Sequence, residues 1–243
     1  MATPFGDRLR RAALAAEQAK LAGLLVTPSA DLRYLTGYDA PPFERLTCLV
    51  LRPGADPVLL VPELERPRAA SSPVGDAIEL ATWRDGDDAY GALAGFLPDQ
   101  GRFAVNDTAW AVHLLGFQKA VPAATWRSGS AVVSRLRVRK DPEELELLSR
   151  AARGADEAFR RITALRMDGL REEEVAASLS DLLREHGHDT VDFTIVASGP
   201  NGASPHHEPG GRPIRAGEEV VLDFGGTVGG YFSDMTRTVV VER

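Results

Sequence analysis

The chain has 243 residues, of which 44% are hydrophobic and 26% are charged. These proportions are close to those of average globular proteins, and they exclude a disordered polymer, a collagen-like chain and a low-complexity sequence. The 28 basic and 35 acidic residues give a net charge of −7, and the acidic excess lies in residues 141–243, which disfavours a nucleic-acid partner.

The N-terminal segment is charged and lacks the apolar core of a signal peptide, and no run of about 18 apolar residues follows it. Cys48 is the only cysteine of the chain, so a disulfide within the chain is excluded. It lies in the apolar stretch 46–51, which predicts a buried thiol. We therefore expect a cytoplasmic protein that does not bind membranes.

Short apolar strands alternate with helical stretches in the first half of the chain, a pattern typical of a small α/β domain. A proline- and glycine-rich turn at 53–57 separates two of the strands. We predict this domain over residues 1–135, and it contains no cluster of catalytic residues. Its predicted helices are 7–21, 87–96 and 108–119, and its predicted strands are 23–27, 46–52, 58–61, 77–82 and 102–105.

A second domain is predicted over residues 136–243, because a strong helix start follows a basic, glycine-containing stretch. Asp141 can cap this helix, Pro142 suits its first position, and Glu144 can reach back to the amide of the cap. An apolar stripe at spacings of three and four residues predicts the face that enters the core. The stripe comprises Leu145, Leu148, Ala152, Ala155, Phe159 and Ile162.

A second amphipathic helix is predicted from 171 to 186, with Gly187 as its C-terminal stop. The pattern then changes to period two, which predicts strands at 191–197, 219–224 and 231–241, with a loop after the first strand. The residues of the 171–186 helix that we predict to face the core are Val175, Leu179, Leu182 and Leu183.

Two aspartates lie on the last two predicted strands. If these strands form a hairpin with its turn at Val228-Gly229, Asp223 faces Asp234 directly, and a shift of two residues still leaves both on one face. Like charges at that separation need a proton or a cation between them, and burial beside Leu222 would make an uncompensated carboxylate costly. Alternation sends Arg237 to the other face, which favours divalent metal ions as the partners of Asp223 and Asp234. The alternative from the spacing alone is a pair of solvated aspartates at a turn or a strand edge.

Two adjacent histidines, His206 and His207, precede the aspartate strands in a polar loop. A neutral imidazole there can hydrogen-bond a substrate or transfer a proton near neutral pH. Neighbouring residues of an extended segment point in opposite directions, so we expect only one of the two to enter the site. A solvated pair without function is the alternative. His113, His186 and His188 lie on or near helices, and we expect structural roles for them.

Several segments resemble the prolidase, aminopeptidase P and creatinase family of metallopeptidases, whose catalytic domain has the pita-bread fold. DLRYLTGY at 31–38 is similar to a signature of the family's N-terminal domain, and LRVRKDPEE at 136–144 is similar to the entry into its catalytic domain. The most specific segments are PHH at 205–207, VLDFGG at 221–226 and GYFSDMTRT at 230–238. The resemblance implies an α/β protein in which a small creatinase-like domain precedes the first half of a pita-bread domain.

The resemblance also implies the chemistry. Asp223 and Asp234 would be the first two of five ligands for two divalent ions, with manganese expected first and cobalt or zinc as alternatives. His206 would be the catalytic histidine on the substrate side, and the reaction would be hydrolysis of the peptide bond that precedes proline, in a protein that forms a homodimer. The substrate would be a proline-containing peptide, either a dipeptide or a longer one.

Three of the five expected ligands, a histidine and two glutamates, would follow Asp234, but no histidine follows His207 and Glu242 stands in no matching motif. We therefore expect an incomplete metal site and an inactive polypeptide, as in a piece of a longer enzyme or a truncated product. The alternative is a non-catalytic binding or assembly module that retains a vestigial metal site. A kinase magnesium motif at Asp223-Phe224-Gly225 is disfavoured, because no kinase catalytic loop precedes it.

Overall fold

A computed structural model of the protein describes residues 4–242. The chain divides into two compact units, Met1–Arg139 and Lys140–Arg243. The domain boundary between residues 135 and 136 remains a prediction from the sequence. No helix within residues 4–242 is both long and apolar enough to cross a membrane.

The first unit alternates helices and strands, as the sequence predicts. Its helices are α1 (Pro4–Gln18), α2 (Ala30–Thr36), α3 (Arg66–Ala70), α4 (Ala89–Ala94), α5 (Ala111–Ala120) and α6 (Ser130–Arg137). Its strands are β1 (Gly23–Val26), β2 (Cys48–Leu51), β3 (Val58–Pro62), β4 (Glu79–Trp83), β5 (Gln100–Val105) and β6 (Ala123–Ser128).

These strands form one mixed sheet in the order β4-β3-β2-β1-β5-β6. Successive residues of β1 and β2 alternate between two apolar cores, one packed against α1, α2 and α6 and the other against α4 and α5. Because both faces of the sheet are covered, the central strands are apolar at every position. Cys48 is fully buried, so the predicted buried thiol is confirmed, and burial raises the pKa of that thiol.

Four elements of this unit were not predicted from the sequence: α2, α3, β6 and α6. The start and end of α2 are marked by side-chain capping from Ser29 and by a left-handed Gly37 at φ 69°. β6 lies at the edge of the sheet and is largely exposed, so it lacks the apolar pattern that identifies the inner strands.

The second unit contains two helices and an antiparallel sheet in the order β7-β8-β9. Helices α7 and α8 pack on one face of this sheet, where Val220, Leu222 and Phe224 are fully buried. The capping box predicted at Asp141 and Glu144 is present. The elements are α7 (Pro142–Thr163), α8 (Glu172–Glu185), β7 (Thr190–Ser198), β8 (Glu219–Val228) and β9 (Tyr231–Val240).

The buried face of α7 differs from the predicted stripe. Leu145 is 53% exposed, and Ala152 is also exposed. The helix instead buries small residues, because it approaches the end of α8 so closely that a Cβ on Gly154 would lie 2.6 Å from the carbonyl oxygen of His186. The residues that α7 buries are Glu144, Ala151, Gly154, Ala155, Ala158 and Ile162.

Candidate metal centre and histidine loop

Asp223 on β8 and Asp234 on β9 lie on the same face of the sheet, the one opposite the helices. Asp223 pairs with Thr236, and Asp234 pairs with Gly225, so the two aspartates are diagonal neighbours, a relation that separates residues by about 7–8 Å. The predicted shared face is confirmed, but direct opposition is wrong. The turn consists of Gly229 and Gly230, with φ of 57° and 80°. Val228 in the turn would need a positive φ, which β-branched residues avoid.

Both carboxylates are reached by solvent, since Asp223 is half-buried and Asp234 is exposed. The expectation that burial alone requires a cation between them is therefore not met. Within residues 4–242, however, no arginine, lysine or histidine forms an ion pair with either carboxylate. Arg237 lies on the helix side of the sheet, with its guanidinium 5.9 Å from the centre of the Phe159 ring. The predicted orientation of Arg237 is confirmed.

Thr236 is a site residue that the sequence analysis missed. Its hydroxyl donates a hydrogen bond of 2.8 Å to Oδ1 of Asp223 from the facing position on β9. The bond orients that carboxylate and leaves its second oxygen available. The signal was present in the sequence, because Thr236 follows Asp234 by two residues and so shares its face.

The face that carries the two aspartates also exposes large apolar side chains. Phe232 is 61% exposed and Val240 is 62% exposed, while Ile195 on β7 pairs with Asp223. No helix of the second unit packs on this side in the described residues. The aspartates therefore stand on an open, partly apolar surface, in contrast to the helix-covered face behind them.

The histidine loop, residues 199–209, joins β7 to the segment before β8. Ser204 to His207 form a turn, closed by a hydrogen bond of 3.3 Å from the His207 amide to the Ser204 carbonyl. His206 lies at the tip of this turn and is exposed, whereas His207 lies at its base and is half-buried. The extended segment assumed from the sequence is therefore wrong, although the two imidazoles do lie in different surroundings.

His207 contacts a buried glutamate that the sequence analysis did not identify as part of the site. Its Nε2 lies 2.8 Å from Oε2 of Glu172, the first residue of α8. The side chain of Glu172 is fully buried. No hydrogen bond joins His206 to Asp223 or Asp234 among the described residues, so the structure does not link the predicted catalytic histidine directly to the predicted ligands.

The carboxylate of Glu172 accepts hydrogen bonds from Ser198, Asn201 and His207, none of which belongs to α8. Ser198 donates its backbone N–H and its hydroxyl, each at 2.7 Å, and the Asn201 side-chain amide contacts both carboxylate oxygens at 3.0 and 3.1 Å. Burial raises the pKa of Glu172, but the hydrogen bonds from Ser198, His207 and Asn201 outweigh it and lower the pKa to about 2. Glu172 is therefore ionised at neutral pH.

Structural roles were predicted for three other histidines, and two of these, His188 and His113, have buried, hydrogen-bonded rings. His188 is buried, with Nε2 at 2.8 Å from the Ser233 hydroxyl and Nδ1 at 3.1 Å from the Leu183 carbonyl oxygen. His113 is buried beside Tyr90, with Nδ1 at 3.1 Å from its hydroxyl. Nε2 of His186 is buried without a hydrogen-bond partner in the described chain.

The donor chemistry of the aspartate face fits part of a metal site. Two carboxylates on one surface supply the hard oxygen ligands that divalent cations prefer. Residues 4–242 contain no group of three or more histidine, cysteine, aspartate or glutamate side chains placed to hold a metal ion. Asp223 and Asp234 could therefore supply only part of a coordination shell, and a closed shell needs donors beyond those that the structure describes.

Comparison with protein families gives a match for each unit. Residues 8–139 match the creatinase/prolidase N-terminal domain, and residues 146–243 match metallopeptidase family M24. A probable dipeptidase PepE of Mycobacterium tuberculosis is 39% identical over 237 residues, which cover 96% of this chain and 63% of that protein. The chain thus spans less than two thirds of the length of this curated relative.

Solved structures of similar proteins share the fold. A recombinant prolidase from Thermococcus sibiricus has a TM-score of 0.89 at 30% identity, with 100% of this chain and 67% of that one covered. A Xaa-Pro dipeptidase from Bacillus anthracis has a TM-score of 0.85 at 26% identity, with 98% of this chain and 66% of that one covered.

Proposed function

This chain belongs to metallopeptidase family M24, with a creatinase/prolidase N-terminal domain and part of the catalytic domain, and from this premise we propose that the whole protein hydrolyses the peptide bond preceding proline. Its relatives include a prolidase and a Xaa-Pro dipeptidase by name. The observation that carries the proposal is the pair Asp223 and Asp234 on one open face without a basic partner from the described chain.

We assign Asp223 and Asp234 to a pair of divalent ions, manganese first. When bound, such ions supply Lewis-acid activation of the carbonyl group and of the attacking water. The chain's own residues prepare the site. The Thr236 hydroxyl holds one oxygen of Asp223. The Phe193 ring lies against Gly225, the residue that faces Asp234 on the neighbouring strand.

His206 is the residue we assign to the substrate. It is exposed at the tip of its turn, so its imidazole is free to donate a hydrogen bond to a developing oxyanion or to transfer a proton to the leaving amine. His207 is unsuited to this role, because Glu172 already engages its Nε2.

Because the described residues supply only two grouped ligands, we propose that the 243-residue polypeptide alone binds manganese weakly and does not hydrolyse a Xaa-Pro dipeptide. Turnover by this polypeptide above a metal-free blank would contradict that statement. The whole protein is proposed to be a cytoplasmic homodimer. Its substrate is a proline-containing peptide, and it binds neither nucleic acid nor membranes. Sedimentation of the whole protein tests the dimer.

Calorimetric titration with manganese tests the ligand assignment. The unmodified chain is expected to give a weak heat of binding that Asp223→Asn removes. Glu219→Gln is the matched control, because Glu219 is exposed on the same strand and the same face and undergoes the same change of charge. If no heat depends on Asp223, the protein is better described as a non-catalytic binding or assembly module, the alternative that the lack of a third grouped ligand supports.

A further inference from the structure

We propose that Glu172 is a positioning residue that fixes the histidine loop through His207, so that the two adjacent histidines have separate tasks. His207 anchors the base of the turn, and His206 is held at its tip for the substrate. The second task rests on the function proposed above for His206, whereas the anchoring itself rests only on contacts within the described chain.

Glu172 joins two positions of the histidine loop to the end of the strand that precedes it. It receives hydrogen bonds from Ser198 at the end of β7, from Asn201 in the following helical turn, and from His207. A buried carboxylate with these donors around it is strongly stabilised as the anion. Removing any one donor weakens the compensation of the buried charge, so the contacts at the three positions support one another.

The contact with Glu172 also determines which nitrogen of His207 carries a proton. An ionised carboxylate only accepts hydrogen bonds, so the 2.8 Å contact with Glu172 requires a proton on Nε2 of His207. The ring orientation and the protonated nitrogen are therefore both set by Glu172. Since His207 closes the turn that begins at Ser204, its position determines where the tip residue His206 can lie.

Ser198 and Arg212 connect the loop to β8, the strand that carries Asp223. Ser198 pairs with Val220 on β8, and its hydroxyl accepts a hydrogen bond from Arg212. Arg212 in turn makes a two-point ion pair with Glu218, directly before β8, at 2.6 and 2.8 Å. The anchor thus fixes the histidine loop against the first residues of β8, at Val220, which lies three residues before Asp223.

Nuclear magnetic resonance of the 243-residue chain tests the anchor, with the backbone amide order parameters of Ser204, His206 and His207 as the readout. His207→Phe keeps the ring but removes the N–H donor, and it is expected to lower the order parameters from about 0.85 to below about 0.6. His207→Gln retains a side-chain N–H donor and is expected to restore much of the order. His206→Phe, the matched control, is expected to leave the base of the turn rigid.

Two results would overturn the proposal. One is a loop that stays as ordered in His207→Phe as in the unmodified chain. The other is an equal loss of order in His206→Phe. If His207→Phe fails to fold, the nitrogen spectrum of the unmodified chain decides instead, since a His207 Nε2 without a proton at neutral pH contradicts the contact with Glu172. None of these readouts requires metal or turnover, so they are separate from the tests of the proposed function.

Discussion

The second unit contains two groups of carboxylates in opposite surroundings. Glu172 is fully buried, and protein donors surround it. Asp223 and Asp234 lie on an open sheet face, where Thr236 is the only side chain within residues 4–242 that bonds to either. The protein stabilises the first charge itself and leaves the other two to solvent or a ligand. The contrast separates a carboxylate that organises the fold from carboxylates available to bind a cation.

The largest expected effect comes from neutralising the buried carboxylate. Glu172→Gln removes a charge that receives hydrogen bonds from Ser198, Asn201 and His207. Each hydrogen bond to a charged group contributes about 1.5–3 kcal/mol, so the unfolding free energy should fall by several kcal/mol. Urea denaturation measures the loss. Glu173→Gln, at the exposed neighbouring position, is expected to change stability by less than about 0.5 kcal/mol. Equal effects of the two substitutions would remove the distinction between the sites.

The pH dependence of stability follows from the same carboxylate. The folded state lowers the pKa of Glu172 from its ordinary 4.5 to about 2, so its contribution is fully present above pH 4.5 and is lost as the pH falls toward 2. This difference corresponds to about 3 kcal/mol. Denaturation curves between pH 2 and 6 should show that slope for the unmodified chain, and Glu172→Gln should reduce it. An unchanged slope in the variant would contradict the assignment.

A smaller effect is expected at Thr236. Thr236→Val removes the hydroxyl that orients Asp223 but keeps the shape of the side chain, and loss of such a supporting hydrogen bond should weaken manganese binding about tenfold. Thr238→Val is the matched control, since Thr238 is exposed on the same face and pairs with Val221. Calorimetry compares the two variants, and an equal loss in both would exclude a specific role for Thr236.

The smallest expected effect is that of Asp223→Asn on stability. Because Asp223 is half-buried and the asparagine oxygen can still accept from Thr236, the unfolding free energy should change by about 0.5 kcal/mol or less. The same substitution should remove the heat of manganese binding. A loss of several kcal/mol would instead place Asp223 in the structural class with Glu172.

Local sequence patterns predicted much of the architecture and one surface of the site. Period two placed Asp223 and Asp234 on a common face, and capping preferences located the start of α7 at Pro142. The predicted register of β8 and β9 was wrong by two residues. The predicted turn contained Val228, which disfavours a positive φ, whereas the observed turn uses Gly229 and Gly230, which tolerate it. The apolar stripe of α7 failed because close packing at Gly154, a tertiary contact, selects small residues.

The anchor of the histidine loop could not be predicted from local patterns. Glu172 and His207 are 35 residues apart. In the sequence, Glu172 is one of three consecutive glutamates in the first turn of a helix, where acidic residues are favoured. Its burial and its hydrogen bonds depend on how α8 packs beside the end of β7. The alternation rule separated His206 from His207 for a reason that the turn at 204–207 does not support.

The most direct test of the contrast is the line broadening that added manganese causes in the amide spectrum of the 243-residue chain. Paramagnetic ions broaden nearby resonances, so the loss of signal should be centred on β8 and β9 around residues 223 and 234 and should disappear in Asp223→Asn. Signals around Glu172, Ser198 and His207 should persist at the same manganese concentration. Broadening centred on Glu172, or broadening unaffected by Asp223→Asn, would contradict the separation of the two groups of carboxylates.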